Sequence, residues 1–240
     1  MKNMLKKNSG VLSLYDLFLI VGIIGLNLLY SFLNREFDIM GSVASITGVL
    51  CVVLVAKRSI WNYFFGVINV SLYAYISYKS KLYGDALLNA LYYFPMQFVG
   101  WYMWIKAKGG VTESGEVSDS IVKSKMMSWK LRVALFVGCA ILVIIGGYIL
   151  DNYTPDEYPY KDSFTTILSV VAMMLMVWKY MEQWMIWIAV NIVSVYIWSH
   201  AFFKGEPHAG VMALMWLFYL ANSINGLRVW RKAAKLEMQR

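Results

Sequence analysis

Long apolar runs alternate with short polar segments along most of the chain. The apolar runs cover residues 14–33, 40–56, 60–78, 85–105, 130–150, 163–179, 183–203 and 208–230. Each is close to the roughly 20 residues that an α-helix needs to cross a bilayer. The pattern therefore predicts eight membrane-spanning helices. The longest polar segment, residues 106–129, predicts a flexible linker between two halves.

The composition places the chain among integral membrane proteins. Of its 240 residues, 60% are hydrophobic and 15% are charged, whereas soluble domains contain about 45–50% and about 25%. Spans occupy most of the length, which leaves no room for a large soluble catalytic domain. Cys51 and Cys139 lie far apart within apolar runs and indicate no disulfide framework.

Lysine and arginine are distributed unevenly between the two sides that eight spans define. One side receives 17 of the 22 basic residues and the other side receives five. Cytoplasmic loops of membrane proteins carry an excess of positive charge. We therefore expect both termini in the cytoplasm and the acidic loop 151–162 on the opposite side.

Matching positions predict an internal duplication of three helices. The matches follow an offset of 122 residues for Lys57 and Lys179, Phe65 and Trp187, and Asn69 and Asn191, and an offset of 126 for Tyr93 and Tyr219, Gly100 and Gly226, and Trp104 and Trp230. The copies cover residues 40–105 and 163–230, and helix 130–150 restores the chain direction between them, after a cytoplasmic linker. With helix 14–33 outside the repeat, the predicted fold is all-α in a 1+3+1+3 order with parallel copies. Parallel repeats are a transporter arrangement, with substrate bound near the membrane midplane.

Polar and aromatic residues form stripes on four of these spans. On the seventh span the stripe falls within an arc of about 80°, and such a stripe faces protein or a water-filled cavity rather than lipid. Single carboxamides often join neighbouring helices by hydrogen bonds, but their number here, interleaved with Trp and Tyr, favours a ligand site. The predicted substrate-binding residues are Trp184, Trp187, Asn191, Gln97, Asn222, Asn89, Asn69, Asn225 and Tyr93.

Ionisable residues are absent from the middle of every predicted span; Asp16, Asp85 and Glu182 lie near helix ends. Because proton or sodium coupling usually requires an intramembrane carboxylate or a similar ion site, this favours a facilitator. No metal-ligand cluster, phosphate loop or nucleophile–base pair is visible, so neither an enzyme nor a cofactor is indicated. A sugar carrier and a non-transporting scaffold subunit are alternatives, but two indoles on one helix face favour a planar ring.

Four short segments are more specific than the apolar pattern. They read WNYFFGVINV at 61–70, LYGDALLN at 82–89, PMQFVGWY at 95–102 and WMIW at 184–187. In this order they resemble the PnuC family of bacterial vitamin transporters, whose W-x-x-W substrate motif is similar to the last segment. The resemblance implies nicotinamide riboside uptake across the bacterial inner membrane, a homotrimer, and an architecture like the duplicated sugar-transporter (SWEET-like) fold. Some members of the family carry thiamine or riboflavin, so these two vitamins are alternative substrates.

The predicted site suits the substrate that the resemblance implies. Nicotinamide riboside has a flat cationic pyridinium ring, a carboxamide and a ribose. Trp184 and Trp187 are placed to hold such a ring by cation–π attraction, which is worth about 2 kcal/mol when water is excluded. Asn and Gln offer both donors and acceptors to the amide and the hydroxyls. We expect this amide–aromatic site to release a cation more easily than a carboxylate would.

Overall fold

The computed structural model describes residues 12–35, 37–80, 82–108, 123–153 and 159–239, and these residues form eight helices. The fourth helix, α4, begins with Tyr83–Leu87, continues through a π-helical segment, Leu88–Tyr93, and ends with Phe94–Lys108. The others are α1 (Leu14–Asn34), α2 (Ile39–Ala56), α3 (Asn62–Lys79), α5 (Trp129–Tyr153), α6 (Pro159–Val177), α7 (Gln183–Phe203) and α8 (Ala209–Met238).

Six of these helices are long and apolar enough to cross a membrane, namely α1, α2 and α5 to α8. This indicates a multi-pass membrane protein, and these six helices agree in length and hydropathy with six of the predicted spans. Helix α3 carries several asparagines and tyrosines, and α4 is divided by its π-helical segment, so neither reaches the same length and hydropathy. That α3 and α4 also cross the membrane stays a prediction.

The π-helical segment of α4 has a local cause. Pro95 has no backbone N–H and cannot make the usual helical bond to residue 91. The preceding amide, that of Phe94, bonds instead to the carbonyl of Asn89, five residues back. Such wide turns are often found at functional sites, and this one carries Asn89 and Tyr93.

The helices pack as two groups of three with one extra helix beside each group. Helices α2, α3 and α4 form the first triplet, and α6, α7 and α8 form the second triplet. The triplets meet where α2 packs against α8 and where α4 packs against α6. Helix α1 packs on α2 and α8, and α5 packs on α6. Each triplet thus touches the other through its first and third helices.

The loops that precede α3 and α7 have the same backbone geometry. Arg58 and Lys179 both adopt a left-handed conformation, with φ of 59° and 68°. Six backbone hydrogen bonds at the first loop, including Tyr63 N–H to the Ile60 carbonyl, recur at the second loop 121 residues later. The predicted offset of 122 residues is therefore wrong by one at these loops, because apolar helices align almost equally well one residue out of register.

The corrected register brings together equivalent aromatic contacts in the two triplets. Tyr63 lies edge-on to Trp104 with ring centroids 5.3 Å apart, and Trp184 lies edge-on to Trp230 at 6.1 Å. A Cβ atom on Gly100 would overlap the Tyr63 ring, and one on Gly226 would overlap the Trp184 ring. The offset of 126 residues for these glycines and for their tryptophan neighbours agrees with the prediction.

Each extra helix is fastened to the loop of its neighbouring triplet by an ion pair with a fully buried carboxylate. Lys57 Nζ lies 2.5 Å from Asp16 Oδ2 of α1, and Arg132 Nε of α5 lies 2.7 Å from Glu182 Oε1. Both loops contribute to one hydrophobic cluster, which contains Met181 and has Ile60 packed against it. The two loops therefore lie at the same end of the molecule.

Candidate substrate-binding site

A cavity lies between the two triplets and is lined by α2, α3, α4, α6, α7 and α8. Its volume is about 120 Å³, roughly ten times the minimum that one water molecule requires. Neither α1 nor α5 contributes a described residue to the wall. The cavity therefore belongs to the triplets, and the extra helices stand outside it.

Seven of the nine predicted site residues lie on this wall. They are Asn69 on α3, Asn89, Tyr93 and Gln97 on α4, and Trp184, Trp187 and Asn191 on α7. The other two predicted residues, Asn222 and Asn225, are not part of the wall. The Asn222 amide instead donates a 2.8 Å hydrogen bond to the Val52 carbonyl and so joins α8 to α2. Helical periodicity places Asn222 and Asn225 on one face of α8, but at Asn222 this face contacts α2 instead of the cavity.

The aromatic part of the wall comes from both triplets. Trp184 is buried, with its ring packed on the Gly226 backbone, and its indole N–H has no partner among the described residues. Trp187 from α7 and Tyr93 from α4 lie with ring centroids 6.3 Å apart. Aromatic rings thus approach the same space from α4 and α7, as the binding of a flat ring requires.

The carboxamides on the wall differ in how many hydrogen bonds they already make. Asn69 donates to the Ala44 carbonyl at 2.9 Å and accepts from the Tyr219 hydroxyl at 3.3 Å, so both ends of its amide are used within the protein. Asn69 therefore joins helices, which is the alternative role of such residues.

Asn191 and Gln97 retain free acceptors. The Asn191 amide donates to Ser223 Oγ at 2.7 Å, but its Oδ1 is buried without a partner among the described residues. Gln97 is 4% exposed, and its Oε1 is likewise buried and unpartnered. An unpartnered buried polar atom costs about 1–3 kcal/mol, so these two oxygens are the natural partners of a polar ligand.

A carboxylate also lies on the wall, and the sequence interpretation missed it. Asp85 occupies the first turn of α4, as expected, but the cavity reaches that turn. The signal was present in the sequence, because Asp85, Asn89, Tyr93 and Gln97 follow each other at intervals of four residues and share one helix face. Among the described lining residues, Asp85 is the one with a formal charge, and no Lys, Arg or His lies on the wall.

A cavity enclosed between helix triplets and lined by aromatic and amide groups is typical of membrane transporters of small molecules. Residues 38–232 match the family model described as nicotinamide mononucleotide transporter. The chain belongs to this family of transporters, which confirms the predicted resemblance to PnuC and excludes the enzyme alternative.

Similar proteins span most of the chain. The nicotinamide riboside transporter PnuC of Neisseria mucosa is 43% identical over 199 residues, covering 82% of this chain and 73% of that protein. PnuC of Escherichia coli strain K12 is 29% identical over 215 residues, covering 81% and 85%. The riboflavin/roseoflavin transporter RibM of Streptomyces davaonensis is 22% identical over 189 residues, covering 78% and 82%.

The fold is also similar to a solved structure. The crystal structure of the vitamin B3 transporter PnuC superposes with a TM-score of 0.80 at 36% sequence identity, covering 94% of each chain. The all-helical fold is therefore that of a known transporter.

Proposed function

We propose that this protein carries nicotinamide riboside across the cell membrane, by alternating access of the cavity between the two triplets. The main support comes from the cavity wall. On it the indoles of α7 and the Tyr93 ring line the same cavity as the unpartnered oxygens of Asn191 and Gln97. Cation–π attraction suits the pyridinium ring, and the free oxygens suit the N–H and O–H donors of the carboxamide and ribose. Relatives that are named nicotinamide riboside transporters support the same substrate.

The wall favours the riboside over the mononucleotide that the family description names. A phosphate group carries about two negative charges and is held in proteins by Arg, Lys or clusters of backbone N–H groups. The described lining residues include no Lys, Arg or His, and the charged residue on the wall is Asp85. Phosphorylation of the substrate after entry would therefore prevent its return through the cavity.

Riboflavin is the second candidate substrate, because the relative RibM is named for it. Thiamine and sugars are further alternatives on the same helical plan. A binding experiment separates them: the purified protein is titrated calorimetrically with nicotinamide riboside, the mononucleotide, thiamine, riboflavin and glucose. We expect the riboside to bind most tightly, with the mononucleotide weaker by at least about tenfold. Tighter binding of riboflavin or of the mononucleotide would contradict the proposal.

The proposed transport is facilitated diffusion without ion coupling. Apart from Asp85 at a helix end, the described cavity wall carries no ionisable Asp, Glu, Lys, Arg or His. In proteoliposomes, nicotinamide riboside should equilibrate across the bilayer without accumulating. Accumulation driven by an imposed proton or sodium gradient would contradict this part of the proposal.

The proposed architecture is eight spans in a 1+3+1+3 order with parallel, SWEET-like triplets. The shared end of the two loops, the matching hydrogen bonds and the cavity between the triplets support it. The excess of basic residues on one side supports cytoplasmic termini in the bacterial inner membrane. Reporter fusions at residue 240 and within loop 151–162 should report opposite sides; the same side for both would contradict eight spans.

A homotrimer completes the proposal. Only 11% of the most apolar window of α5 is buried within one chain, so this helix has a large surface for lipid or for neighbouring copies. Native mass spectrometry in detergent should give three copies per particle, and a monomer at all concentrations would contradict the trimer.

A further inference from the structure

Asp85 is a carboxylate on the cavity wall, and the other described residues of the wall carry no formal charge. It lies on the same helix face as Asn89, Tyr93 and Gln97, at the end of the cavity where α4 begins. In the part of the chain that the structure describes, no lysine or arginine lies within ion-pair distance of its oxygens. A charged carboxylate on a cavity wall is unfavourable unless a partner compensates it, because an uncompensated charge is costly away from water.

The hydrogen bonds around Tyr73 orient this carboxylate. The Tyr73 hydroxyl oxygen accepts from Trp198 Nε1 at 2.6 Å and from Trp216 Nε1 at 3.1 Å. Indole N–H groups only donate, so the single proton of the hydroxyl remains to be given to another acceptor. That acceptor is Asp85 Oδ2, at 3.4 Å from the hydroxyl. The two tryptophans thus set the direction in which the Tyr73 hydroxyl donates, and that hydrogen bond orients the Asp85 carboxylate at the cavity wall.

Among the described residues, charged groups of both signs act on Asp85. Asp162 and Lys161, at the start of α6, act on Asp85 electrostatically with opposite signs. Neither lies on the cavity wall. Among the described residues of the wall, Asp85 is therefore the one charged group that a ligand in the cavity would meet, and it shares a face of α4 with Tyr93.

We propose that Asp85, positioned by Tyr73, selects the positive charge of the substrate: it makes the cavity prefer a cationic pyridinium nucleoside over a neutral ring of the same shape. This inference rests on the proposed function and adds the charge that the site recognises. It also revises the expectation that the site is purely amide and aromatic. Asp85 lies at the end of the cavity, near charges of both signs on α6. Its attraction for the cation is therefore moderate enough for the substrate to be released.

The test compares two ligands of nearly equal shape and different charge. Nicotinamide riboside carries a pyridinium cation, and its 1,4-dihydro form has the same ribose and carboxamide on a neutral ring. Calorimetric titration of the parent protein should show at least about tenfold tighter binding of the cation, in the range of close charge pairs. Equal affinity of the parent protein for both ligands would overturn the inference without any variant.

Variants then assign the preference to Asp85. Asp85→Asn keeps the size of the side chain and removes the charge; it should weaken binding of the cation by about tenfold and leave the dihydro form unchanged. Asp85→Glu should retain the preference, and Tyr73→Phe should reduce it in part. Asp151→Asn, an exposed position at the end of α5, is the matched control for charge outside the cavity and should leave both affinities unchanged.

The possible outcomes are separable. Equal losses for both ligands in Asp85→Asn would assign Asp85 a packing role and overturn the inference, as would no loss for either. Melting temperatures on the same preparations identify a variant that is simply misfolded, in which case Asp85→Glu and the comparison in the parent protein decide. If the parent protein binds neither riboside, the proposed function fails and this inference with it.

Discussion

The two triplets share one packing motif, but only one of them presents it to the cavity. Tyr63 packs on Gly100 and Trp104 in the first triplet, and Trp184 packs on Gly226 and Trp230 in the second. Trp184 lines the cavity, whereas Tyr63 is fully buried and does not. We therefore expect this packing motif to stabilise the first triplet, and in the second triplet both to stabilise the helices and to position a binding residue.

One turn further along, the sizes of the facing residues are exchanged. In the register of the structure, Gly66 of the first triplet corresponds to Trp187 of the second, and Gln97 corresponds to Ser223. A Cβ atom on Gly66 would collide with Gln97 Oε1, so the missing side chain makes room for the glutamine. The second triplet has the large residue, Trp187, at the position of Gly66 and the small residue, Ser223, at the position of Gln97. A near-symmetric frame thereby gains an asymmetric cavity, as a ligand with an aromatic and a sugar end requires.

The largest expected effects come from the ion pairs that fasten the extra helices. Lys57→Met leaves the buried Asp16 carboxylate without its cation, and Arg132→Met does the same to Glu182. Each change should lower stability by about 3 kcal/mol, the lower end for buried pairs, because both cations are partly exposed. Melting in detergent should shift similarly for both variants. A shift in only one of them would show that α1 and α5 are not equivalent.

The glycine contacts separate stability from binding. Gly100→Ala and Gly226→Ala each force a methyl group against an aromatic ring, which should cost about 1–3 kcal/mol of stability. Only Gly226→Ala displaces a residue of the cavity wall, so only this variant should bind nicotinamide riboside more weakly when folded. Unchanged affinity of folded Gly226→Ala protein would argue against a binding role for Trp184.

The correspondence of Trp187 can be tested by substitution. Trp187→Ala removes one ring from the wall and should weaken nicotinamide riboside binding by about tenfold, which is roughly 1.4 kcal/mol. Phe65→Ala is the matched control: an offset of 122 residues would pair it with Trp187, but Phe65 does not line the cavity. Calorimetry on both proteins should show a loss for Trp187→Ala alone. A comparable loss for Phe65→Ala would favour the other register.

The smallest expected difference concerns two asparagines. Asn191→Leu removes the free oxygen and should weaken binding by about 1 kcal/mol, roughly fivefold. Asn69→Leu breaks bonds to Ala44 and Tyr219, so it should lower the melting temperature while the folded fraction binds normally. Affinity and melting are measured on the same preparations. The reverse pattern would exchange the roles assigned to these residues.

The sequence by itself determined the class of protein, the family and seven residues of the cavity wall. Apolar runs of bilayer length require a membrane protein, because backbone polar groups in lipid must be paired within a helix. Polar and aromatic residues at helical spacing on α4 and α7 identified six of these residues, including Gln97 and Asn191, because such residues turn away from lipid. These conclusions depend on local periodicity, which one chain displays without its neighbours.

Only the tertiary structure decided which polar groups remain available to a ligand. Asn69 and Asn191 look alike in the sequence, yet α2 and α8 together occupy both ends of the Asn69 amide. The oxygen of Asn191 has no partner among the described residues. Asn222 faces α2 instead of the cavity, and Asp85 reaches the cavity from a helix end. Periodicity defines the face on which a side chain lies, but the rotation and depth of the neighbouring helices decide what that face meets.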